Sequence, residues 1–236
     1  MLLLLLGIAA AMQQVQTGFL DRNITVAGRA YHYQVYVPAD YQTKPTWPAI
    51  LFLHGAGESG DDIQKVKIHG PPKLAAAGKE FPFIVVSPQC PEGQRWDNDV
   101  VLALLDEVTE RYRVDRGRVY LTGLSMGGFG TWSLGLAHPG RFAAIAPICG
   151  GGDPLALLLA DPKKVNALKT LPVWAFHGAK DPVVKLEESQ RMVDTLKKFG
   201  CKEVELKVYP EAQHDSWTET YNSPKVYDWF LAHRRK

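Results

Sequence analysis

A serine between two glycines, an aspartate and a histidine follow one another along 236 residues in an order that suits acyl transfer. The serine is Ser125, in the stretch "LTGLSMGGFGTW" (residues 121–132), where Gly123 and Gly127 complete a G-x-S-x-G pattern. Val119–Thr122 read as a strand and Met126–Leu136 as the helix that follows it. A turn this tight between a strand and a helix leaves no room for side chains beside the serine, and it lifts the hydroxyl above the sheet. It also aims the helix N-terminus at the site, which offers the Met126 N–H to a developing oxyanion.

Serine is a weak nucleophile until a base takes its proton and a third group orients that base. Asp181 stands in "HGAKDPVV" after the strand-like "PVWAF", and His214 in "EAQHDSW" after "VELKVYP". Taken singly, Asp181 reads equally well as a turn or capping residue, and His214 as a surface or packed histidine. Taken together, each at the carboxyl end of a strand, they predict a triad: Ser125 as nucleophile, His214 as base, Asp181 as orienting acid. Asp153 and Asp215 are the competing acids. Asp153 comes one strand too early, and Asp215 adjoins the histidine in sequence, which makes a contact to its ring awkward.

Acyl transfer needs a second oxyanion donor, and "LFLHGAGESG" runs a strand into glycines where backbone can approach a carbonyl. The N–H of Ala56 is assigned that role, with Gly55 and Gly57 clearing space. Residues 55–60 also satisfy G-x-G-x-x-G, the dinucleotide fingerprint. The antiparallel hairpin upstream, the carboxylates of "GDDIQK" and the lack of a ribose-binding acid argue against that reading. No cofactor and no metal site is expected. Trp96 and Trp217 fall in loops after strands and are candidates to line a substrate cleft, as tryptophans that pack are also placed; Trp132 reads as core. Glu58 contacts substrate or caps the next helix. His54 and His177, each in an "HG" pair, read as structural turn residues.

The elements that must position these groups are legible from periodicity. Residues 19–37 alternate around "AGR" as an antiparallel hairpin. Six short apolar runs follow, from "WPAILFLHG" to "VELKVYP", the pattern of strands buried on both faces. Amphipathic stretches such as "NDVVLALLDEVTERY" and "LEESQRMVDTLKKFG" lie between several of them, the latter ended by Gly200. Alternating strands and helices predict a doubly wound, mostly parallel sheet with ligands beyond the strand carboxyl ends.

Composition narrows the partner. A net charge of +2 with 22% charged residues marks neither a nucleic-acid groove nor a membrane-surface helix. A small molecule or a neutral polymer is expected, with no nucleic acid. Leu2–Ile8 is apolar and is followed by Ala9–Ala11, which resembles a secretory signal without a basic start and is too short for a stable membrane span. The organisation expected is a leader over residues 1–18 and one domain over 19–236, exported to the periplasm or beyond. Cys90, Cys149 and Cys201 have no metal-ligand spacing; Cys90 and Cys149 pair if exported, or all three are free thiols.

Taken together, "LFLHGAGESGDD", "VVSPQCP", "GLSMGGFGTW", "FAAIAPICGGGDP", "PVWAFHGAKDPVV" and "HDSWTETY" resemble compact microbial serine esterases of the α/β-hydrolase superfamily. The branch is that of phospholipase/carboxylesterase-like, feruloyl-esterase-like and "predicted peptidase" proteins, and the likeness covers roughly residues 20–234. It implies an eight-stranded, mostly parallel sheet and a metal-free carboxylic ester hydrolase, and it carries the triad and oxyanion roles onto Ser125, His214, Asp181, Ala56 and Met126. Residues 150–171 are too short for a lid domain, so an open, shallow cleft is expected, suited to short-chain or aryl esters such as feruloyl or acetyl groups on plant polysaccharide. A serine peptidase of the same fold and a catalytically silent ligand binder are the alternatives.

Overall fold

The computed structural model describes residues 15–78 and 81–235. The leader reading rests on Leu2–Ala11, which lie outside the described residues. Eight strands, β1 (Gly18–Val26), β2 (Arg29–Val37), β3 (Trp47–Leu53), β4 (Ile84–Pro88), β5 (Val114–Leu124), β6 (Ala144–Ile148), β7 (Val173–Gly178) and β8 (Val204–Tyr209), form one sheet. Their order is β1-β2-β4-β3-β5-β6-β7-β8. The β1–β2 hairpin is antiparallel and β2 runs antiparallel to β4, whereas every other neighbouring pair is parallel. This is the expected doubly wound, mostly parallel sheet.

Two cores lie on its two faces because side chains alternate along each strand. On β3, Leu51 and Leu53 point to one face and Ile50 and Phe52 to the other. The first face is covered by α2 (Asn98–Arg111), α3 (Met126–Ala137), α4 (Leu155–Leu158), α5 (Val165–Thr170) and α6 (Leu186–Phe199). The second is covered by α1 (Gly70–Ala76), α7 (Ser216–Asn222) and α8 (Pro224–Ala232). In α2 the buried residues Val101, Leu104, Leu105 and Val108 recur at helical spacing, and the Asp97 carboxylate caps the first turn by accepting from Asp99 and Val100 N–H groups. In α6 the stripe is Ser189, Met192, Val193 and Leu196.

The strand before Ser125 begins five residues earlier than its apolar run suggests. Val114 pairs with Trp47, and a register shift separates that pair from Ala49–Val119. The polar residues between them are held by a clasp: the Asp115 carboxylate accepts from Arg118 (2.8 Å) and from Arg234 (2.6 Å), and Arg235 N–H donates to Gly117 O (2.8 Å). Charged residues in these roles carry no apolar periodicity. Among the described residues no helix is long and apolar enough to cross a membrane, and all three cysteines are free.

Gly200 ends α6 with φ +88°, and a Cβ there would meet no atom closer than 3.7 Å. Gly200→Ala is therefore expected to lose about 1 kcal/mol of stability from left-handed backbone strain alone. Urea denaturation of the variant against the parent checks this.

Candidate active site

Ser125 sits between β5 and α3 with φ +52° and ψ −118°, a conformation that L-residues rarely adopt. Its own N–H donates to Ile148 O (3.0 Å) and its carbonyl accepts from Phe129 N–H (3.0 Å), so both sides of the strained residue are tied. The glycines around it are required by contact. A Cβ on Gly123 would lie 2.4 Å from Gly127 O, and one on Gly127 would lie 1.9 Å from Leu53 O. One on Gly128 would lie 2.4 Å from Ile148 O, so α3 starts directly against the carboxyl ends of β3 and β6.

His214 and Asp181 reach this serine from the loops after β8 and β7. His214 Nε2 is 2.9 Å from Ser125 Oγ, and His214 Nδ1 is 2.8 Å from Asp181 Oδ2. The other carboxylate oxygen, Oδ1, accepts from Val183 and Val184 N–H groups at 2.9 Å each. Burial pushes the Asp181 carboxyl up, but the hydrogen bonds from His214, Val184 and Val183 outweigh it and leave it below the usual carboxylate value. An ionised carboxylate fixed in this way holds the His214 Nδ1–H and leaves Nε2 free to accept the serine proton. Asp153 instead caps the turn into α4 by accepting from Leu155 N–H, and Asp215 precedes α7.

Ala56 and Met126 each open a helical turn, so their N–H groups have no intrahelical acceptor. Both residues line one cleft with Ser125, a cavity of about 1470 Å³. That exceeds the usual range of about 300–1,000 Å³ for small-molecule sites. Its lining includes Trp96 and, from the α4 segment, Ala156, Leu159 and Ala160. Trp96 lines the cleft, fixed by its Nε1–H to His54 O (3.2 Å) and by an edge contact with the His54 ring. Phe129, exposed on α3, also lines it; its place one helical turn after Ser125 was the available signal.

Trp217 does not line that cleft. It stands edge-on to His214 (centroids 5.3 Å apart) and tilted against His69 (5.4 Å). Glu58 is buried and caps its own turn: Oε2 accepts from Gly55 N–H (2.9 Å), Oε1 lies 3.6 Å from His69 Nε2, and its carbonyl accepts from Gln89. The capping expected of it for the following turn is supplied by Asp62. Trp132 is fully buried, as expected of core. His54 is structural: Cys90 N–H donates to its Nε2, its Nδ1–H donates to Gly55 O, and burial pushes it down to about 4.

Cys149, Asp181 and His214 place one sulfur, oxygen or nitrogen atom each within 4.8 Å of one another. Burial pushes the Cys149 thiol up to about 12, so it stays protonated at neutral pH, and a neutral thiol is neither a strong nucleophile nor a ready metal ligand. The hydroxyl of Ser125, already bonded to His214, is the group the histidine can deprotonate.

The profile of the phospholipase/carboxylesterase family matches residues 97–226, more than half of the chain and all three of these loops. The chain belongs to this family. The α/β-hydrolase sheet of this phospholipase/carboxylesterase member also superposes on the structure of a thermostable esterase with a TM-score of 0.76 and 31% identity, over 92% of this chain and 63% of that one. Among curated relatives, the protein NocK of Nocardia uniformis subsp. tsuyamanensis is 30% identical over 69% of this chain and 48% of its own length. The bifunctional acetylxylan esterase/xylanase XynS20E of Neocallimastix patriciarum is 28% identical over 74% of this chain and 25% of its own. The chain thus spans between a quarter and a half of the curated relatives it matches here.

Two outcomes follow from this geometry. Gly127→Ala is expected to cost about 3 kcal/mol or more, since neither Leu53 O nor α3 can give way, and denaturant midpoints measure it. The lowered Asp181 carboxyl contributes stability that is complete above its unfolded value near 3.9 and is lost as pH falls through the lower folded value. Asp181→Asn is accordingly expected to be less stable than the parent at pH 7, with the difference closing below about pH 4. A stability difference that stays constant across that pH range would contradict the assignment.

Proposed function

We propose that the chain is a serine carboxylic ester hydrolase working through an acyl-enzyme. The observation that carries this reading is the continuous line of hydrogen bonds from Ser125 Oγ through His214 to Asp181, on a serine held at positive φ. Ser125 Oγ attacks the ester carbonyl while His214 Nε2 takes its proton. The carbonyl oxygen becomes an oxyanion facing the Ala56 and Met126 N–H groups. Collapse of this intermediate breaks the bond to the alcohol, which leaves with the proton from His214. Water, deprotonated by the same nitrogen, then attacks the acyl-enzyme; the bond to Ser125 Oγ breaks, the serine takes that proton back from His214, and the acid is freed.

For substrate, the reading is a short-chain or aryl ester, with feruloyl or acetyl groups pendant on plant polysaccharide as the natural form. Trp96 and Phe129 supply flat apolar surface next to the serine, on which an aromatic acyl group or a sugar ring can stack. The cleft volume accommodates more than a simple acetate ester, and the name of the relative XynS20E includes acetylxylan esterase.

Ser125→Ala is expected to lower hydrolysis of p-nitrophenyl acetate by at least about 10⁴-fold with an unchanged melting temperature. A fluorophosphonate probe should label the parent and not the variant. Retention of most activity by Ser125→Ala would sink the proposal, and an unlabelled parent would favour a silent binder. A preference for an anilide over the matched ester would favour a peptidase, for which leaving-group protonation is more demanding.

A further inference from the structure

The second "HG" histidine, His177, lies at the carboxyl end of β7, four residues before Asp181, and its side chain is fully buried. Its hydrogen-bond partners restrict where its protons sit. Nε2 is 2.8 Å from Val184 O, a carbonyl that can only accept, so Nε2 carries a hydrogen. Nδ1 is 2.8 Å from Ser189 Oγ. Ser189 has a single hydroxyl proton, and its Oγ also lies 2.9 Å from Gly150 O, another carbonyl. If that proton serves Gly150 O, Nδ1 must donate to Ser189 as well. A neutral ring would instead turn the serine proton to Nδ1 and leave Ser189 Oγ and Gly150 O facing each other at 2.9 Å with no hydrogen between them, a costly arrangement for buried groups. The same counting makes His54 neutral, because there a backbone N–H points at the ring.

We infer that His177 is a buried imidazolium that shares Asp181 with His214 and acts as a positioning residue for the hydrolytic centre. The inference rests on the reading of Ser125, His214 and Asp181 as a triad. Asp181 Oδ2 is 3.3 Å from His177 Nε2 and 2.8 Å from His214 Nδ1, so one oxygen faces both rings. Of the other groups around His177, the Cys149 thiol beyond β6 and the Tyr209 phenol on β8 are both raised by burial and stay uncharged at neutral pH. On α6, Glu188 and Arg191 pair with each other at 2.7 Å, and Lys207 on β8 is exposed over the Tyr209 ring. Asp181 is therefore the counter-charge in contact with the ring.

Two consequences follow. The cation adds a counter-charge to the hydrogen bonds that already hold the buried Asp181 ionised. It also withdraws part of the support that Asp181 gives to a charged His214, which favours the neutral ring that takes the serine proton. His177 touches no reacting atom and works only through Asp181.

Two measurements test this. In protein labelled with ¹⁵N-histidine, His177 should show two slowly exchanging ring N–H signals at pH 7, with the Nδ1–H signal moved by Ser189→Ala. This readout needs no catalysis, so it stands or falls separately from the esterase reading. His177→Gln should move the acid limb of the kcat/KM profile for p-nitrophenyl acetate up by about one pH unit, with at most a several-fold change on the plateau. A single ring N–H on His177 would overturn the imidazolium. Two N–H signals in the parent with an unmoved acid limb in the variant would overturn the shared counter-charge. Where His177→Gln fails to fold, the parent spectrum and Ser189→Ala decide the charge state, and the pH profile of Ser189→Ala, expected to shift the same way by less, decides the coupling.

Discussion

The fold depends on one close approach: the backbone of Gly127 lies against Leu53 O, nearer than any side chain would allow. That contact brings the first turn of α3 onto the carboxyl ends of β3 and β5, and it forces Ser125 into left-handed backbone space. The strain is contained because the Ser125 N–H is bonded to Ile148 O of β6 and its carbonyl to Phe129 N–H. Backbone that cannot relax is what allows a flexible hydroxyl to be presented at a fixed height to a histidine arriving from a loop 89 residues later.

Around this contact, groups of opposite character are separated by the sheet. Apolar packing on both faces makes the strands rigid, and the polar chemistry is confined to the loops at their carboxyl ends. Asp181 is the extreme case: a buried carboxylate accepting from two amides, facing two imidazoles. Such a charge is tolerable only when nearly every lone pair is used. The dense bonding around Asp181 is thus a condition of its burial, and it also immobilises the ring of His214.

How much of this the sequence disclosed varies with the physics involved. Strand and helix positions follow from periodicity, and the meeting of Ser125, Asp181 and His214 follows from their placement after successive strands, since a parallel sheet brings those ends to one side. The glycine contacts were legible too, as only a missing side chain explains Gly123 and Gly127 on either side of the serine. That residues of the α4 segment line the cleft was not, because no periodicity records the orientation of so short a segment. Trp217 could not be placed because a residue three beyond a histidine points inward or outward according to how α7 starts. Glu58 was ambiguous because one carboxylate can cap or contact ligand with the same sequence. The closeness of His177 to Asp181 left only a spacing of four in a loop, which by itself implies no contact.

The clasp at the start of β5 joins Asp115 and Gly117 to Arg234 and Arg235. Between those two anchoring points run Ser125, Asp181 and His214, so the reactive segment is a ring closed by non-covalent bonds at the pole opposite the chemistry. A ring restricts the conformations open to everything threaded on it. Fraying of α8 would therefore not remain a local event. It would reopen the ring and enlarge the range of separations open to serine and histidine, which makes the ion pair of the buried Asp115 with Arg234, remote from the cleft, part of what keeps the two side chains in register.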